Sequence, residues 1–585
     1  MKFLGNVLAV IVGLIIFNMI AFFLFFGIIG IMASSKEEVK VKANSVLHLD
    51  LNKIIVDRPV EDMDFPSPFP GLIVSGQISV LDVKKAIKRA AENDNIKGIY
   101  LETGFLSGLP AIHKEIRDEL LAFKASGKFI TTYAEIYNEN GYYVASVADD
   151  ILLNPKGGME FDGFTYEAVF FKGTLDKLEV KPEIFRVGDF KSAVEPYLLT
   201  EMSEASAAQT KSYLSSLYNQ FLQDVSESRD IPVATLQSMA DNLSITNAQS
   251  ALDNKLVTQL AYADQKNDLL REKLGLGESD KIELISMSKF LTATDKFKSS
   301  NDQIALIVAE GEIVSGNVSD GTIGSEAYAK MIREAANDDK IKAIVLRINS
   351  PGGSALASDV MWRELQLAKE KKPVIASMSD VAASGGYYIA VAADTIVAQP
   401  NTITGSIGIF GMFFNAQDFL KNKLGVTTDH VNTAQHSDMF SMTRELTKVE
   451  RDYIQSSINE GYENFTQLCA DGRGMSLEEL KSIASGRVWS GTEAKERGLV
   501  DILGGLDDAL AIAAEKANIG DDYGLRVFPA KQTFVEKILE SFGGNIEARY
   551  MQHKLGDLYP IVQQAEKIKQ MEGIQARMPY QFSIK

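Results

Sequence analysis

A single cysteine among 585 residues, Cys469, and only five histidines leave little material for several common kinds of site. One cysteine cannot form an intrachain disulfide, and it rules out zinc sites built on cysteine clusters. His48, His113, His430, His436 and His553 never stand four apart around a glutamate, so the H-E-x-x-H motif is missing and no metal is expected. A G-x-x-x-x-G-K-[ST] loop is missing too, which removes ATP, and no cofactor is expected. There is no polybasic run, and a formal charge of −18 argues against nucleic acid as a partner and against docking on anionic lipid through a basic face. What is present, 45% hydrophobic and 24% charged residues, is the composition of a globular chain large enough for two well-buried cores.

Charge is also missing from Phe3 to Ala33, and the densest apolar part runs from Val7 to Met32. About 20 apolar residues suffice to cross a bilayer as a helix. This run therefore predicts one N-terminal transmembrane anchor within residues 1–35. The competing reading is a cleaved signal peptide, whose apolar core is usually only about 7 to 15 residues. Lys2 and the amino terminus on one side, against Lys36, Glu37, Glu38 and Lys40 on the other, weakly favour an N-terminus inside and the bulk of the chain outside the cytoplasm.

The remainder is written twice. Ile96, Gly141, Asp149 and Pro155 each stand 245 residues before Ile341, Gly386, Asp394 and Pro400, and the offset drifts to 243 at Leu256 and Leu499. Two homologous domains follow, over 36–295 and 296–528, with a tail over 529–585 that has no counterpart and no assignable role. The Pro-rich insert from Arg58 to Gly71 reads as a loop. In the second copy strands are expected at Ile304–Val308, Ala343–Ile348, Val374–Met378 and Thr395–Ala398, and helices at Ala327–Ala336, Ala357–Lys369 and Ser384–Ala393. Such alternation predicts a buried parallel sheet with its site at strand ends. Beyond Thr447 the pattern turns helical, with a capping box at Ser476–Glu479.

The copies differ where chemistry would lie. At Ser384-Gly385-Gly386 the chain enters a helix, which puts a hydroxyl among unsatisfied N–H groups able to stabilise an oxyanion. Taken alone, Ser384 could equally be a helix cap. A second glycine pair, Gly352-Gly353 in Asn349-Ser-Pro-Gly-Gly-Ser354, offers a backbone N–H from a separate turn, as an acyl-transfer site requires. The first copy has Glu139 in place of Ser384, and Glu102-Thr-Gly-Phe-Leu-Ser-Gly108 in place of the glycine pair. Both parts are missing from the same copy, which capping does not explain. A Ser-His-Asp arrangement through His430 or His436 remains open, because such sites are defined by geometry.

Ser350-Pro-Gly-Gly, Ala382-Ala-Ser-Gly-Gly-Tyr-Tyr388, Thr404-Gly-Ser-Ile-Gly408 and Gly498-Leu-Val-Asp501 together resemble the signature blocks of the signal peptide peptidase A (protease IV) family, in its long, 67K-type form with a duplicated domain. The resemblance implies an α/β fold: a tandem repeat of two Clp protease/crotonase-like domains, preceded here by one transmembrane helix. It implies a lysine base in the first copy, matched by Lys191 in Lys191-Ser-Ala-Val-Glu-Pro196, whereas Ser437 lies opposite it in the second. Each copy is then half a site. The first supplies Lys191; the second supplies the nucleophile Ser384 and the oxyanion donors Gly352, Gly353 and Gly385. Ser406 is implied to orient the lysine. The family also implies a homotetramer in the bacterial inner membrane, with its catalytic domains on the extracytoplasmic side and hydrophobic signal peptides as substrates. A lysine base must shed a proton held with a free pKa of about 10.4, so reaching 7 needs about 4 to 5 kcal/mol of disfavour toward the ammonium form. Burial can supply that, provided Asp189 and Glu195 point away. Rival readings are a crotonase-type acyl-CoA enzyme and a non-catalytic membrane scaffold.

Overall fold

The computed structural model describes residues 40–59, 76–294, 300–318, 321–530 and 573–578, with 12–14, 16, 17, 19 and 20 near the N-terminus. Those N-terminal residues are helical, but most of the expected transmembrane segment lies outside the described residues, as does most of the Pro-rich insert. Among the described residues no helix is long and apolar enough to cross a membrane.

Each half of the chain builds a sheet. Across the first, the order is Gln259–Leu260, Asp150–Met159, Phe129–Tyr137, Ile96–Glu102, Ser45–Asp50 and Leu284–Ser286, with every pair parallel. Across the second it is Val488–Ser490, Ile403–Gly405, Val374–Ala383, Ile341–Ser350, Gln303–Glu310 and Gly524–Phe528, parallel except for Val488–Ser490. Covered on both faces, these strands read as continuous apolar runs. Val374–Ala383 is buried at every position.

The duplication survives as matched hydrogen bonds. Asp149 accepts from Ile130 N at 2.8 Å, and Asp394 accepts from Val374 N at 2.9 Å. The Tyr142 hydroxyl donates to Leu256 O at 2.8 Å, and the Tyr387 hydroxyl to Leu499 O at the same distance. The last pair shows why the register drifts without harm: the shorter spacing still delivers a carbonyl to the same tyrosine.

One strand is longer than its sequence suggests. Val374–Ala383 continues past Met378 because it changes partner: Ile375–Met378 pairs with Thr395–Ala398, then Val381–Ala383 pairs with Ile403–Gly405. Within the added part, Asp380 is buried and accepts a hydrogen bond from Ile112 N of the first copy at 3.0 Å, with burial pushing its carboxyl well above the usual range. The helix that follows spans Gly385–Ala390, shorter than expected, and the capping box at Ser476 and Glu479 is formed.

The copies meet through buried charge. Arg347, 1% exposed, reaches Asp57 and Glu115 of the first copy, each at 2.7 Å, and Lys84 pairs with Glu115 and Asp507, each at 2.9 Å. Burial pushes Glu115 up, but Arg347 and Lys84 together hold it below its ordinary value. Removing one member of such a cluster strands the others without solvent, costing about 3 to 5 kcal/mol. Arg347→Met is therefore expected to lower the urea midpoint of unfolding. An unchanged midpoint would show that water reaches Asp57 and Glu115.

A third sheet joins both halves. Its order is Thr322–Gly324, Glu312–Val314, Gly352–Ser354, Gly573–Arg577, Phe410–Asn415 and Lys181–Arg186. Its outer strand from the first copy, Lys181–Arg186, runs antiparallel to Phe410–Asn415 of the second. That pairing carries the chain into the loop holding Lys191.

Candidate active site

Ser384 follows the long strand directly and turns the chain into the helix Gly385–Ala390. Its backbone sits at φ 55° and ψ −111°, a region that costs a residue with a Cβ about 1 to 3 kcal/mol. The hydroxyl makes no cap bond. Lys191 Nζ donates to it at 2.8 Å, across 193 residues of sequence and within one chain. The capping reading of Ser384 therefore fails on geometry, since its hydroxyl is turned to the amine.

Lys191 is 0% exposed. Besides Ser384, its amine meets Ser406 Oγ and Ser406 O, both at 3.1 Å, so Ser406 stands where an orienting residue would. Burial alone drives its pKa well below the ordinary lysine value of 10.5. No carboxylate opposes this. Asp189 is exposed, and Glu195 is engaged by Ser203, accepting from its N–H at 3.1 Å and its hydroxyl at 2.7 Å. Without a counter-charge, a buried amine is held neutral, which is the form that can accept a proton.

The glycines bring two turns together. A Cβ on Gly352 would fall 2.6 Å from Gly385 N, and Gly352 itself has φ +97°, so only glycine permits this approach. Gly352 N–H donates to Ser350 Oγ at 3.1 Å. Gly353 is turned the other way: a Cβ there would lie 2.0 Å from Ile313 O, in the neighbouring strand. Of the two, Gly352 is the one beside Ser384.

His430 and His436 are elsewhere. His436 Nδ1 lies 2.9 Å from Glu450, and His430 Nδ1 lies 3.3 Å from Asp438, on the segment before the helix Lys448–Arg473. A histidine triad with Ser384 is excluded. Ser437, opposite Lys191 in the repeat register, is exposed on that same segment, its hydroxyl donating to Ala434 O at 2.8 Å.

Three residues that hold the lysine were not expected to do so. Gly486, at φ +78°, packs so closely that a Cβ would be 2.7 Å from Lys191 Cβ and 2.8 Å from Lys191 N. Gly408 lies against the other end of the same side chain, where a Cβ would be 3.3 Å from Lys191 Cδ. Gln209 ties the loop to the second copy, donating to Phe190 O at 3.0 Å and Ser192 Oγ at 2.9 Å and accepting from Val488 N at 3.2 Å. Gly408 lies inside a quoted block, yet only tertiary structure reveals its neighbour.

The comparisons with known proteins agree with a duplicated protease. The profile of peptidase family S49 matches residues 122–277 and again 366–520, one stretch in each half. This chain belongs to peptidase family S49. The Clp protease profile matches 295–404. Among S49 relatives, Protease 4 of Salmonella typhi is 36% identical over 547 residues, covering 90% of this chain and 88% of its own. Protease 4 of Haemophilus influenzae is 36% identical over 86% of this chain and 84% of its own. The chloroplastic serine protease SPPA of Arabidopsis thaliana is 32% identical over 86% of this chain and 74% of its own. The S49 chain is a serine protease with a duplicated, mixed α/β fold.

Proposed function

We propose that this protein is a membrane-anchored serine endopeptidase that degrades cleaved signal peptides through a Ser384/Lys191 dyad. The observation that carries the reading is the 2.8 Å contact between a wholly buried lysine amine and a serine hydroxyl held in a strained turn. In the mechanism, neutral Lys191 takes the proton of Ser384 Oγ as that oxygen bonds to a peptide carbonyl carbon. Gly385 N–H and Gly352 N–H, the latter released from Ser350 Oγ, hold the oxyanion, with Gly353 shaping the turn. The C–N bond then breaks, and the Lys191 ammonium returns its proton to the leaving amine. A water, deprotonated by Lys191, cleaves the acyl-enzyme and restores Ser384. Ser406 keeps the amine aimed.

The apolar run before Ala33 serves as the anchor, with the two repeats on the extracytoplasmic side of a bacterial inner membrane, where spent signal peptides are met. A homotetramer is the proposed assembly. Supporting it, Leu424, Val431, Phe440 and Tyr453 are between 58% and 98% exposed along one stretch of the second repeat, a surface that association would cover. The test is a fluorophosphonate probe together with a synthetic signal peptide. Wild type is expected to be labelled at Ser384 and to cleave the peptide, and Ser384→Ala to do neither. Cleavage surviving in Ser384→Ala removes Ser384 from the mechanism, and thioester turnover without labelling favours an acyl-CoA enzyme.

A further inference from the structure

The third sheet is closed by a segment from far away in sequence. Gly573–Arg577 runs antiparallel to Gly352–Ser354 on one side and to Phe410–Asn415 on the other. Without it, two strand edges would face each other across a gap one strand wide, and one of those edges carries Gly352. Such a gap accepts an extended peptide by strand addition on both sides. The strand places a carbonyl beside the two glycines proposed as oxyanion donors. Ala576 O lies 2.2 Å from where a Cβ on Gly352 would stand and 3.1 Å from where one on Gly385 would. Beyond it, Met578 N donates to Pro351 O at 2.7 Å, Arg577 pairs with Glu312 at 2.7 Å, and Met578 shares a buried apolar cluster with Ala383, the residue before Ser384. With this strand in place Ala576, Ser384 and Lys191 are all 0% exposed, so no second peptide can reach the hydroxyl.

We propose that residues 573–577 occupy the substrate cleft as a tethered, substrate-like strand that competes with incoming peptides. The strand also marks how substrates lie: extended, antiparallel to Gly352–Ser354, with a small side chain at the position of Ala576. The proposal rests on the Ser384 reading of the site. Tethering gives the strand a local concentration set by chain length, so modest contacts suffice to hold it.

Two variants open the cleft. One ends at Glu572; the other, Ala576→Glu, keeps full length and places a charge where alanine is fully buried. A fluorescent peptide of sequence Gly573 to Met578 is expected to bind both variants about tenfold more tightly than wild type, and to fail once tryptophan replaces its alanine. Both variants are expected to cleave a reporter peptide with KM lowered about tenfold, the factor for a strand seated nine-tenths of the time. Fluorophosphonate labelling of Ser384 separates the failures. Labelling in the variants, with no peptide binding and unchanged KM, overturns the tail proposal and leaves the nucleophile standing. Peptide binding without labelling keeps the tail and removes the nucleophile. If both variants lose their fold, the strand is a fixed part of the sheet and the proposal falls.

Discussion

Lys191→Arg is expected to lower kcat/KM by about four orders of magnitude or more, the scale seen when one member of a nucleophile and base pair is removed. Arginine is of similar length to lysine, but its guanidinium does not deprotonate in proteins, so it stays charged where Lys191 is neutral and cannot act as a base. The pH profile makes the argument specific. Activity requires the neutral amine, and burial holds the Lys191 pKa well below 10.5. The ascending limb of kcat/KM should therefore fall clearly below that value. A limb at the ordinary lysine pKa would mean that the amine is solvated in the working enzyme. Stability should follow the same sign. Between the folded and unfolded pKa values the unfolded chain binds the extra proton, so stability contributed by this group rises with pH through that window. Because the dyad meets within one chain, mixed Lys191→Arg and Ser384→Ala chains should recover no activity. Recovery would require the two residues to meet between subunits.

Much of this site is legible in sequence because duplication supplies its own control. Glu139 stands where Ser384 does, and Ser437 stands opposite Lys191, so the losses in the two copies are reciprocal. The first copy shows what the fold keeps without chemistry: Asn138 caps its short helix by accepting from Gly141 N, the task that Ser384 does not perform. What stays illegible depends on contacts between distant segments. Asp380 lies two residues past the expected strand end, and its partner, the N–H of Ile112, comes from the other repeat. Gly573–Arg577 is five residues with no period of its own, and both of its partner strands lie more than 150 residues upstream. Arg347 sits in an apolar strand, where its partners Asp57 and Glu115 come from the other repeat.

Gly486→Val tests whether position alone can disable the dyad. The backbone there has φ +78°, which a β-branched residue does not tolerate. Its Cβ would also meet Lys191 N, Cα and Cβ at 2.7 to 2.9 Å, contacts with backbone that no rotamer change relieves. Something must shift, and the loop from Gly188 to Lys191 is the part packed against it. The amine is gripped at Ser384 and Ser406 over distances of 2.8 to 3.1 Å, so a displacement of about 1 Å breaks the proton path and costs about a hundredfold in kcat. A fluorophosphonate reports the same loss at Ser384, since the unassisted hydroxyl is a weak nucleophile. Gly408→Ala presses on the same loop from behind, since its Cβ would lie 2.8 Å from Gly486 Cα, 3.0 Å from Gly486 N and 3.3 Å from Lys191 Cδ, so it too should lower activity. Full activity in Gly408→Ala beside a loss in Gly486→Val would mean that Gly486 can yield without moving the lysine. Full activity in Gly486→Val would show that Lys191 does not need its present position.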